Sequence, residues 1–154
     1  MIQRIPDRFS DSFSNVVTVA LGEYTMIFVS GLVGYPPDGP VMVTAEPFEE
    51  EAKLCMVNVE NSLKKVGATL KDVVRITTYL IDAQRDYPIW NKVRKATFQD
   101  TLPASSTIGI KSLLVNARME IDTVAMIRTS AQNKSKSKTK TKTKTKTKKK
   151  KTRG

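Results

Sequence analysis

PFEEEAKLCMVNVENSLKKVGATLKDVVRITTYLI, residues 47–81, reads as a helix followed by a strand, and the remaining elements can be placed outward from it. Pro47 suits a first helical turn, and Glu49, Glu50 and Glu51 face the positive end of the helix dipole. Ala52, Cys55, Met56, Val59, Leu63 and Val66 then recur at three- and four-residue steps, and Gly67 closes the run. The spacing predicts an amphipathic helix. Residues 73–81 are rich in β-branched side chains and predict a strand, which Asp82 ends.

On the N-terminal side, residues 16–21 and 24–31 are β-branched and aromatic runs joined by Gly22-Glu23, the pattern of a hairpin. Gly34-Tyr35-Pro36-Pro37-Asp38-Gly39-Pro40 follows as an irregular loop. On the C-terminal side, Asp86 before Tyr87-Pro88 is read as the cap of a second helix. Ile89, Trp90, Val93 and Thr97 fall on one side of it, with Lys92, Arg94 and Lys95 mostly elsewhere. Leu102-Pro103 breaks that helix, and strands are expected at 107–111 and 118–126. The order ββαβαββ is an α+β layout, two helices on one face of a largely antiparallel or mixed sheet. Val29, Ile76, Thr78, Ile108 and Ile121 are expected to leave an apolar surface on the other face, open to neighbouring subunits.

Composition removes several chemistries. The chain has 154 residues, no histidine and one cysteine, which excludes imidazole bases, His-ligated metals, internal disulfides and CxxC knuckles. Its net charge of +11 is concentrated at one end: eleven lysines and Arg153 lie in residues 133–154, with no acid among them. The preceding 132 residues hold fourteen basic and fifteen acidic groups, so the body is near neutral. We therefore expect one domain at 1–132 and a disordered Lys/Thr-rich tail at 133–154. Nothing reads as a leader segment or reaches the ~18 apolar residues of a membrane span, so a cytoplasmic setting without membrane contact is expected, with nuclear entry through the basic tail as an added reading.

The most specific pattern is Pro103-Ala104-Ser105-Ser106-Thr107-Ile108-Gly109-Ile110 with Met119-Glu120-Ile121-Asp122. With Phe28-Val29-Ser30-Gly31 and residues 67–74, it resembles the RidA (YjgF/UK114) family of reactive-intermediate deaminases over roughly residues 13–128. The resemblance implies a chorismate-mutase-like subunit, a homotrimer with ligand clefts between subunits, and hydrolysis of enamines or imines such as 2-iminobutanoate without metal or cofactor. It also implies an arginine directly after the Pro-Ala, to clamp the substrate carboxylate. Here that position is Ser105. A guanidinium fork makes a bidentate, charge-assisted contact and a hydroxyl offers one neutral donor, so the change weakens an imino-acid site. Lys111, Arg118 and Arg75 are the cations considered as replacements.

By resemblance, Glu120 is the catalytic acid or base, with a surface ion pair as its structural alternative. Ser30 and Gly31, Asn91, Ser105 and Thr107 are the substrate-binding set; each has an ordinary turn, helix-surface or strand reading beside it. Val17 stands where relatives often carry an aromatic. Cys55 reads as a buried, inert thiol and Trp90 as a packing residue. Three functions follow: a trimer that binds a small metabolite with deaminase activity in doubt, an active deaminase releasing a 2-oxo acid and ammonia, and RNA or other polyanion association through the tail.

Overall fold

The computed structural model describes residues 1–40, 43 and 47–129. The tail expectation at 133–154 lies outside the described residues. The elements are β1 (Ile2–Pro6), β2 (Ser14–Leu21), β3 (Tyr24–Val33), α1 (Phe48–Lys64), a short 3-10 turn (Leu70–Asp72), β4 (Val73–Leu80), α2 (Ala83–Phe98), β5 (Ala104–Gly109) and β6 (Met119–Arg128). They form one six-stranded sheet in the order β1-β2-β3-β6-β4-β5. All neighbours are antiparallel except β4 and β5, which run parallel because α2 crosses between them. The α+β reading with two helices on a mixed sheet holds, with β1 added at the N-terminal edge. That strand is only five residues long, carries Gln3 and Arg4, and is mostly exposed, so its apolar signal was weak.

The core lies between the helices and one sheet face, built from Val16, Ile27, Ile76, Trp90, Met119 and Ile121 among others. Cys55 and Trp90 are fully buried there, as expected. Cys55 Sγ lies 3.1 Å from the Leu32 carbonyl, and burial pushes its thiol well above the ordinary range. Gly67, at φ +76, takes the left-handed conformation that ends α1 and returns the chain to the sheet. No described helix is long and apolar enough to cross a membrane.

Two local expectations are corrected. Asp86 is not the cap of α2: Asp82 is, its carboxylate accepting from the Arg85 N–H at 3.0 Å, and Pro88 sits inside the helix. Asp86 instead points into the protein, fully buried between Arg85 and Arg118. The second correction concerns the open sheet face. Val29, Ile76, Thr78 and Ile121 are buried beneath the helices. The opposite face carries Val17, Met26, Phe28, Val124, Met126 and Ile108, as strand parity across the registers requires. Phe28 and Ile108 are more than two-fifths exposed. The set named from sequence mixed the two faces because the β4–β5 register sets Ile76 and Thr78 beside Ser105 and Thr107, leaving Ile108 level with Tyr79 on the other face, and that pairing has no mark in the sequence.

Candidate functional site

The residues singled out from sequence fall into two groups on opposite faces. The first is built by the β3 bulge and β6. Between Val29 and Leu32 the register with β6 slips, which lifts Ser30 and Gly31 out of the regular ladder. Glu120 pairs with Val33 on one side and Tyr79 on the other, and its side chain stands on the face away from the helices. A Cβ at Gly31 would lie 2.0 Å from Glu120 Oε1, so the missing side chain is what gives the carboxylate its place. Ser30 is less available: its Oγ donates to the Ser14 carbonyl at 2.7 Å and ties β3 to the start of β2.

Glu120 is half-buried and forms no ion pair among the described residues. Burial, and then the neighbouring Asp122, raise its carboxyl above the ordinary range. Asp122 accepts a long 3.3 Å bond from Tyr79 Oη, and its charge raises the Tyr79 hydroxyl. The surface-ion-pair alternative for Glu120 therefore fails in the described chain. This arrangement gives a carboxylate that exchanges protons closer to neutrality than an ordinary glutamate.

The second group is built by α2 and β5. Ser105 and Thr107 pair with Ile76 and Thr78, which places them on the helix side of the edge strand. Above them runs α2, and Asn91 is on its exposed surface. Between Asn91 and Ser105 lies a residue that the sequence reading had left on the solvated side of the helix. Arg94 Nη1 donates to Ser105 Oγ at 2.8 Å, and Nη2 donates to Asn91 Oδ1 at 2.5 Å. Its guanidinium carbon is 5.9 Å from the centre of the Tyr87 ring. Tyr87, Arg94, Leu102, Pro103, Ser105 and Thr107 line an open groove of about 420 Å³. The available signal was spacing: positions 91 and 94 share a helix face, so naming Asn91 implicated Arg94.

Arg118, Arg75 and Lys111 stand elsewhere. Arg118 is bound to buried Asp86, with Nη2 2.7 Å from Oδ1, and stacks over Phe48. Arg75 pairs with Ala104 on the opposite face from Ser105, and Lys111 lies beyond the end of β5. Within one chain the two groups are not brought together, because β4 separates β6 from β5, an offset of about 10 Å across the sheet, and their side chains point to opposite faces.

Fold and site together define a chorismate-mutase-like α+β protein with a carboxylate over a bulge and a cationic groove at the sheet edge. The model of the family described as Endoribonuclease L-PSP matches residues 8–127. A 2-iminobutanoate/2-iminopropanoate deaminase of Dermatophagoides farinae is 34% identical over 101 residues, covering 66% of this chain and 77% of that protein. The Mus musculus protein of the same name is 32% identical, covering 70% and 83%. Among solved structures, RidA from an Antarctic Psychrobacter superposes with a TM-score of 0.67 at 24% identity, covering 80% of this chain and 94% of that one. Yeast Mmf1 superposes at 0.68 with 25% identity, covering 81% and 98%. The chain belongs to the RidA (YjgF/UK114) family, the Endoribonuclease L-PSP family of the matching model.

Proposed function

We propose that the protein hydrolyses small enamines or imines to 2-oxo compounds and ammonia, at clefts formed where three copies meet. The observation that carries this reading is Glu120, a half-buried carboxylate with a raised pKa, seated over Gly31 on the open sheet face. In that position it accepts a proton from water as the oxygen attacks the imine carbon and passes it to the nitrogen, giving a carbinolamine. It then takes the carbinolamine hydroxyl proton as C=O forms and hands it to the nitrogen, which leaves as ammonia when the C–N bond breaks. The apolar band of exposed Phe28 and partly buried Val124 and Met126 supports closure of this face by other subunits, which would bring a second chain's residues to Glu120. The names of the mouse and mite relatives support the reaction class.

Ser105 favours a second reading, a trimer that binds a metabolite without turning it over, because β5 itself supplies no guanidinium to the substrate. RNA cleavage is less well supported, since the chain has no histidine and the open face carries Glu120 beside Asp122, which repel a polyanion. The test generates 2-iminobutanoate in situ with an amino-acid oxidase or dehydratase and follows 2-oxobutanoate release. Micromolar protein should accelerate release, and Glu120→Gln should cut the acceleration by about a hundredfold. Release at the buffer rate with the native chain overturns the enzyme reading in favour of the binding one.

A further inference from the structure

We propose that Arg94, on α2, is the anchor for a small carboxylate in the groove beside Ser105, supplying from the helix the positive charge that β5 lacks. The inference rests on the imine-hydrolase reading for its choice of ligand, and on the geometry of the groove for its site.

Three features of the guanidinium point this way. Its two hydrogen-bond partners, Ser105 Oγ and Asn91 Oδ1, are both neutral, and no described carboxylate pairs with it. An arginine on a helix surface ordinarily turns toward an acid or into water. This one is instead held toward β5 by the Ser105 hydroxyl and along its own helix by the Asn91 amide, both uncharged, so it is oriented with its charge uncompensated among the described residues. Two of its five N–H donors are engaged, and the remaining ones are free for a ligand. The third feature is the groove. Leu102, Pro103 and the Tyr87 ring give it an apolar wall beside the cation, and Ser105 and Thr107 add hydroxyls. Its volume of about 420 Å³ suits a small molecule.

The charge balance selects the ligand. One guanidinium with neutral neighbours matches a monoanion with a short apolar body, and the planar fork matches a carboxylate in particular. A phosphate dianion would need further cations, and none lines this groove. Tyr87 and Leu102 then limit the length of the substrate's side chain, making Arg94 and its wall determinants of specificity.

The experiment titrates the native chain with 2-oxobutanoate and with its neutral amide by calorimetry or NMR, alongside Arg94→Ala, Arg94→Lys and the double variant Arg94→Ala with Ser105→Arg. Arg94→Ala should weaken 2-oxobutanoate about ten- to a hundredfold and leave the amide unchanged. Arg94→Lys, which keeps the charge and loses the fork, should fall between. The double variant should recover binding from the strand side. Lys92→Ala, an exposed cation on the same helix, should have no effect and controls for bulk charge. Circular dichroism checks that each variant is folded, and Arg94→Lys keeps the question open to measurement should the alanine variant unfold. Undetectable 2-oxobutanoate binding by the native chain, or equal binding by a folded Arg94 variant, overturns the anchor. Carboxylate binding lost with Arg94 in a chain that hydrolyses no imine would retain the anchor and remove the enzyme reading. Imine hydrolysis with KM unchanged in Arg94→Ala would do the reverse.

Discussion

Under the helices, Glu51 and Asp86 are fully buried and held by donors, whereas on the open face Glu120 and Asp122 stand two residues apart on β6 with no cation paired to either among the described residues. Glu51 Oε1 accepts from the Arg118 and Met119 backbone N–H groups at 2.7 and 3.0 Å and so fixes the start of β6. Asp86 takes charge-assisted bonds from Arg85 Nε and Arg118 Nη2. The direction of a pKa shift does not separate the two pairs, because burial raises Glu51 as it does Glu120. What separates them is the kind of donor: Glu51 Oε1 takes two backbone N–H groups, although its Oε2 has no partner, and Asp86 takes two guanidinium groups, whereas Asp122 takes only the long bond from the Tyr79 phenol. Acids held by backbone or guanidinium donors hold the fold, and a half-buried acid on the open face with no such donor among the described residues is available for chemistry.

The largest effect should come from breaking the bound side. Asp86→Asn leaves Arg118 facing a neutral partner in a buried setting and should cost about 3 kcal/mol, the low end for a broken buried pair because Arg85 is largely exposed. The pH dependence has a definite sign. Burial works to raise the Asp86 carboxyl, but the bonds from Arg85 and Arg118 outweigh it and hold it below its ordinary 3.8. The stabilisation is therefore complete above about pH 3.8 and disappears as pH falls through the lower folded value. Urea denaturation of native and variant chains should show a gap that is widest near neutrality and closes in acid. A gap below about 1 kcal/mol at pH 7 would place Asp86 on the dispensable side of the comparison.

The open side is tested through Gly31. A Cβ there meets the far end of the Glu120 side chain, not backbone, so Gly31→Ala should move the carboxylate at little structural cost. We expect a change in stability within about 1 kcal/mol and a fall in imine hydrolysis of about tenfold, from displacement of the reacting group. The denaturation midpoint and the rate of 2-oxo acid release measure the two effects separately. A large loss of stability with full activity would show that the Glu120 carboxylate is there to pack, as Glu51 is.

The layout of the fold was legible because its signals are local. The stripe from Ala52 to Leu63, the β-branched run at 73–80 and the Pro103 break each depend on near neighbours. Sheet parity was not, since which face of a strand the helices cover depends on pairing partners distant in sequence, and Val29 and Ile76 were accordingly assigned to the wrong face. The cap of α2 was misplaced for a related reason. Asp82 and Asp86 are equally good caps in isolation, and only the tertiary position of Arg118 explains why Asp86 is buried inside the helix layer. In the site, Glu120, Gly31 and Ser105 were found because a family pattern marks them. Arg94 shares a helix face with Asn91, which was the one local signal; it was missed because its bond to Ser105 depends on α2 lying over β5, a tertiary contact that spacing along the helix does not display.

The smallest expected effect sharpens the comparison most, because it concerns the two open-face acids alone. If Glu120 works as a base, activity requires its ionised form and falls as pH drops through its raised pKa. Burial is the larger cause of that elevation and Asp122 the smaller. Asp122→Asn removes only the second, so the acid limb of the pH–rate profile should move to lower pH while staying above the ordinary carboxylate range, with the plateau rate nearly kept. The same substitution should bring the Tyr79 hydroxyl down, since Asp122 is the main reason it is raised, and ultraviolet titration of the phenol reads that shift without any substrate. A Tyr79 shift with a stationary acid limb would show that the two carboxylates are neighbours in space and that the limb belongs to a group other than Glu120.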